Sequence, residues 1–173
     1  MMKTAGFTLI ELVMVLVLIG ILAVFVAPKL GDVTSSNAGA FTDKLRADIR
    51  YAQNLAMTRN LRSRAYFNGT GTAPPSGYAI VSSFTSTCTS FVAATDPALS
   101  SSLTITLGTG SYANISVAPG TKCLEYDSLG RPYDCIGNLT ICSSVLSGMT
   151  VTIKAGAAAA GSVTISQETG AVN

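Results

Sequence analysis

Histidine and tryptophan are both absent from the 173-residue sequence. Without an imidazole there is no His-based proton transfer, nucleophile activation or metal ligation. Charge is scarce as well: only 12% of the residues are charged, about half the usual share for a soluble globular domain. The formal net charge of +2 is too small to mark a nucleic-acid binder by bulk excess. No glycine-rich loop ends in Gly-Lys-Ser/Thr, and Gly69-Thr-Gly-Thr and Gly108-Thr-Gly110 read as turn glycines. These absences imply a protein that is no enzyme, with no cofactor and no metal. What remains is an apolar share of 48% and a length that suits one modest domain with appendages.

Much of that apolar content is concentrated at one end. After a leader whose one cation is Lys3, Phe7 to Ala27 runs for 21 residues with Glu11 as its sole charged side chain. As a helix this run is about 31 Å long, enough to cross the hydrocarbon of a bilayer. A secretory signal peptide has a shorter apolar core followed by a small-x-small cleavage site. Here the small residue, Gly6, precedes the core, which points to a retained membrane helix. A carboxylate inside such a helix costs about 2.5–3.5 kcal/mol, so Glu11 reads as functional; the plain alternative has it reaching the headgroups from near the helix end. Pro28 removes an amide donor and clashes with the carbonyl of Val24, making that stretch the place to kink.

The string Gly6-Phe7-Thr8-Leu9-Ile10-Glu11 resembles the processing site of type IV pilins and type II secretion pseudopilins. The resemblance implies cleavage between Gly6 and Phe7 by a prepilin peptidase, methylation of the new amine, and an assembly role for Thr8 and Glu11. It also implies that Gly20 and Pro28 weaken the helix and that an inner-membrane assembly platform and other subunits are partners. A buried charge is tolerated only when paired, so Glu11 meeting the amine of Phe7 would reward one stagger of subunits. The implied location is the bacterial inner membrane, head in the periplasm, and then a pilus or pseudopilus.

Beyond the membrane exit at Lys29-Leu30-Gly31-Asp32 comes a polar, poorly helical step, Thr34-Ser35-Ser36-Asn37. Phe41, Leu45, Ile49, Ala52 and Ala56 then recur at helical spacing and predict an amphipathic helix over about 38–60. Residues 43–64 hold six cations against two anions, whereas 65–173 hold three against five. The excess reads as a solvated face with intrahelical pairs, as a contact with an acidic neighbour, or as a DNA-binding strip on Arg59, Arg62 and Arg64. Those basic residues also suit the negative end of a helix finishing near Asn60.

Residues 65–173 read as a head of short strands. Strand signals lie at 78–81, at 103–107 with strict alternation, at 123–126, at 150–153 and at 163–166. The glycine- and alanine-rich run 155–161 reads as a hairpin loop, and 68–77, 82–102 and 108–121 as connectors. The expected fold is α+β: a lollipop whose long N-terminal helix packs on an antiparallel sheet. Its expected divisions are a leader (1–6), a transmembrane helix (7–28), an amphipathic stalk (29–64) and a β-rich head (65–173). The segment Arg50–Asn60, the run Glu125–Pro132 and a closing hairpin ending Glu168-Thr-Gly170 are similar to minor pilins and pseudopilins of the GspH/FimT type. The loop from Tyr133 to Gly148 lies outside that pattern.

Cys88, Cys123, Cys135 and Cys142 all fall in the head, and an even count in an exported domain reads as two disulfides. The short Cys135–Cys142 loop favours the pairing 135–142 with 88–123; the absence of any CxxC pair disfavours zinc. The sequence thus supports a pilin-like structural subunit, minor or major. A tip subunit whose head binds DNA or a surface ligand is the alternative.

Overall fold

The structure is a computed structural model describing residues 8–26, 32–83, 90–119, 123–135 and 148–173. Among the described residues two α-helices, α1 (Leu9–Val26) and α2 (Asp32–Arg59), are followed by nine strands and one short 3-10 turn at Gly110–Tyr112. These are β1 (Ser63–Phe67), β2 (Gly77–Ser83), β3 (Phe91–Ala93), β4 (Thr104–Thr106), β5 (Ile115–Pro119), β6 (Cys123–Tyr126), β7 (Pro132–Asp134), β8 (Met149–Ala155) and β9 (Ala158–Ile165). The architecture is α+β, with both sheets antiparallel. One sheet has the order β3-β2-β1-β6-β7, with β4 also paired to β2; the other has the order β5-β8-β9.

Helix α2 supplies the spine of the core. Phe41, Leu45, Ile49, Ala52 and Ala56 are all buried, as their spacing predicts, and Leu55 joins them. They pack against Phe67, Tyr78, Ile80 and Leu124 of the larger sheet and Val151, Ile153 and Val163 of the smaller one. The described helix already runs from Asp32, six residues before the predicted start, and takes in the polar step at 34–37. Its end is a Schellman motif: Leu61 N–H reaches Ala56 C=O at 3.1 Å and Asn60 N–H reaches Met57 C=O at 3.4 Å. Asn60 takes the left-handed conformation this requires, with φ of 51°.

The strand signals at 78–81, 103–107, 123–126, 150–153 and 163–166 all coincide with strands. Three expectations change. The run 155–161 is mostly strand: β8 and β9 pair Ala155 with Ala158 across Gly156-Ala157, and Gly156 adopts φ of 62°. Glycine supplies the positive φ of a two-residue hairpin turn, and the small alanines continue the ladder. The connectors at 82–102 and 108–121 contain β3 and β5. Finally, α2 ends at Arg59, close to the expected Asn60, and is followed by β1 at Ser63–Phe67, where no strand signal was read.

The larger sheet is buried on both faces at its centre, since every residue of β1, β2 and β6 is buried. Ala65 and Phe67 face the core beneath α2, whereas Tyr66, Ala79, Val81 and Cys123 form a second cluster with Phe91 and Cys135. Strands covered on both sides lose the alternation that makes a strand legible in sequence.

Candidate functional site

Thr8 marks the start of α1. Its hydroxyl oxygen accepts the Glu11 N–H at 3.3 Å, and its carbonyl accepts the N–H groups of Glu11 at 3.1 Å and Leu12 at 3.2 Å. Thr-x-x-Glu is the spacing of a capping box, and an acid in the first turn faces the positive end of the helix dipole. Glu11 is the one charged residue of α1. All the described side chains of residues 8–25 are exposed, so no described part of the head covers this apolar rod. Gly20 lies within α1. Gly6, Phe7 and Pro28 lie outside the described residues.

Among the described residues no helix is long and apolar enough to cross a membrane. Helix α1 has 18 residues, about 27 Å at 1.5 Å per residue, against a hydrocarbon core of roughly 30 Å. The ends of the 7–28 span expected from sequence fall outside the described residues.

Most of the cations expected to line the stalk are already engaged. Arg46 pairs with the exposed Asp43 at 2.6 Å, an intrahelical pair expected of a solvated face, whereas Lys44 pairs at 3.1 Å with Asp48, which is buried. Lys44 also reaches Asp96 at 3.7 Å. Arg50 donates through Nε and Nη2 to the Val172 carbonyl, tying the last described residues to α2. Arg64 is 0% exposed and pairs with Glu125, which also takes Arg62. The Arg64 guanidinium sits 4.0 Å from the centre of the Phe91 ring. Arg64 therefore cannot contribute to a surface strip with Arg59 and Arg62, and the DNA-binding expectation loses that residue. It points inward because strand β1 alternates, sending residue 64 to the face where Glu125 lies directly across from it.

Burial and hydrogen bonding set the ionisation of several groups. Burial, together with the Asp48 carboxylate that Tyr78 OH meets at 2.5 Å, pushes the Tyr78 phenol far above its ordinary value. Burial does the same to Tyr126. The Asp96 carboxyl is held below its usual range chiefly by the Ala98 N–H, at 2.7 Å. For Asp127 desolvation pulls upward, but the N–H groups of Arg131 and Leu129, the Arg131 guanidinium and Tyr133 OH outweigh it and lower its pKa.

The disulfide pairing differs from that expected. Cys123 is joined to Cys135, with Cα atoms 5.3 Å apart, so neither Cys135–Cys142 nor Cys88–Cys123 forms. The reason is register. β6 and β7 pair Leu124 with Asp134, Glu125 with Tyr133 and Tyr126 with Pro132, and one step further along that ladder places Cys123 opposite Cys135. A 12-residue separation in sequence is thereby a cross-strand contact in space. Cys88 and Cys142 lie outside the described residues. No group of three or more potential metal ligands converges among the described residues.

Residues 1–27 match the family described as the prokaryotic N-terminal methylation motif. In overall shape the chain is similar to the crystal structure of the type IV minor pilin FimU of Pseudomonas aeruginosa (strain PAO1), with a TM-score of 0.45 and 16% identity over 80% of this chain and 89% of that one. No curated protein matches the chain in sequence.

Proposed function

We propose that this chain is a structural subunit, a minor pilin or pseudopilin, of a type IV pilus or a type II secretion pseudopilus. Its N-terminal helix is the polymerising element. The observation that carries this reading is the match of residues 1–27 to the methylation motif, whose one acid, Glu11, sits on a helix exposed along its whole described length. Eighteen residues that are apolar all round, apart from that acid, are unstable in water. They need lipid before assembly and neighbouring helices after it.

In this reading residues 1–6 are a leader, 7–28 the membrane and assembly helix, 29–64 the stalk and 65–173 the head. A prepilin peptidase cuts between Gly6 and Phe7 and the freed amine is methylated. Glu11 then pairs with that amine, its own or a neighbour's, and thereby selects the axial stagger; Thr8 holds the backbone at Glu11. Gly20 and Pro28 let the helix loosen as it leaves the membrane and the assembly platform. The protein is a substrate and a building block, with no catalytic role.

N-terminal sequencing of protein from native cells tests the reading. The expected chain begins at N-methylated Phe7 and is found in sheared filaments or a pseudopilus fraction. A chain that begins at Met1 and never leaves the membrane fraction overturns it. Glu11→Leu is expected to be processed and to fold normally but to be left out of the filament.

A further inference from the structure

We propose that a cleft at the end of α2 remote from α1 is a docking site for an acidic side chain of a neighbouring protein subunit; that partner class rests on the reading above. The cleft has a volume of about 250 Å³ and lies between the residues that follow α2 and the Asp127–Arg131 turn. Arg62 and Arg131 both line it, and both are held in place before any ligand arrives. Arg62 donates to Glu125 through Nη1 and lies 5.6 Å from the centre of the Tyr133 ring. Arg131 donates through Nε to Asp127 at 2.8 Å. Among the described residues neither arginine commits its remaining guanidinium N–H groups, so part of each fork is available to a carboxylate.

The neighbouring acids do not cancel this. Glu125 is buried and divides one negative charge between Arg62 and Arg64. Asp127 is saturated by two amide N–H groups, the Arg131 guanidinium and the Tyr133 hydroxyl. Ser128 adds a hydroxyl to the wall, and Leu129, 70% exposed, forms an apolar rim that fits the methylenes of Glu or the Cβ of Asp. Side chains locked by their own partners lose little entropy on binding. A nucleic-acid backbone fits poorly, because it calls for a track of cations. Among the described residues that line the cleft the only cations are Arg62 and Arg131, and Arg64 is sealed inside.

The test uses the full-length protein in detergent micelles, with arginine Nε–Hε signals followed by NMR during titration. The probes are N-acetyl-glutamate amide, glucuronate, inorganic phosphate and a short oligonucleotide. N-acetyl-glutamate amide is expected to shift the Arg62 and Arg131 signals saturably and to bind most tightly. Leu129→Glu, which places a competing carboxylate on the exposed rim, and Arg131→Gln are each expected to weaken binding by about tenfold or more. Arg131→Lys should recover only part of it. Absence of a saturable shift, or unchanged binding by Leu129→Glu, overturns the site. Tighter binding of glucuronate, phosphate or the oligonucleotide overturns the protein side chain as its occupant. None of these readouts depends on processing at Gly6, so the cleft and the assembly reading can fail separately.

Discussion

Arg64 and Glu125 are direct cross-strand partners in the β1–β6 ladder, and both are sealed from solvent. Breaking such a pair from one side strands a buried charge. Glu125→Gln is therefore expected to destabilise the head by about 3–5 kcal/mol in chemical denaturation. Replacing both partners together, as Arg64→Met with Glu125→Leu, should cost markedly less than Glu125→Gln alone. Equal losses would mean that the ion pair is not what holds the two strands.

The Asp127 turn makes the head sensitive to acid. Its folded pKa lies below the unfolded value of about 3.9. The contribution to stability is therefore complete above that unfolded value and is lost as the pH falls through the folded one. Thermal melts from pH 6 downward should show a decline below about pH 4 that is shallower in Asp127→Asn. A variant with the wild-type pH profile would remove Asp127 as a source of the decline.

Reduction should loosen the β6–β7 hairpin in particular. Cys123→Ser with Cys135→Ser is expected to lower stability by about 2–4 kcal/mol and to raise amide exchange in β7. Peptide mapping under non-reducing conditions should recover a 123–135 link. Recovery of 135–142 instead would contradict the ladder register.

Close approach of α2 to β9 predicts a size limit at Gly161. A Cβ there would lie 2.5 Å from the Thr42 hydroxyl oxygen, which itself donates to Ala38 C=O at 2.7 Å. Gly161→Val is expected to cost about 1–3 kcal/mol, with partial rescue by Thr42→Ala. Additive effects in the double variant would show that the two residues do not share that space.

Local information was legible wherever one stretch of chain carries its own physics. The stripe from Phe41 to Ala56 and the alternation from Leu103 to Leu107 each state their environment through spacing alone, because burial on one face imposes a period; the acid of α1 is legible as the one charge on an unbroken apolar run. The polar step at 34–37 and the alanine run at 155–161 were misleading because weak local propensity yields to neighbouring structure.

The sequence by itself determined the α+β class, the rod with its single carboxylate and the core-facing stripe of α2. Tertiary structure alone decided which charges stay in water and which cysteines meet. Arg62 and Arg64 stand two apart on one chain with no nearby acid, and their shared partner lies some sixty residues away on β6. Cys135 is nearer in sequence to Cys142 than to Cys123, yet the β6–β7 ladder sets it against Cys123. Long-range partners are chosen by strand order and register, and these follow from closing the whole core rather than from any window of residues.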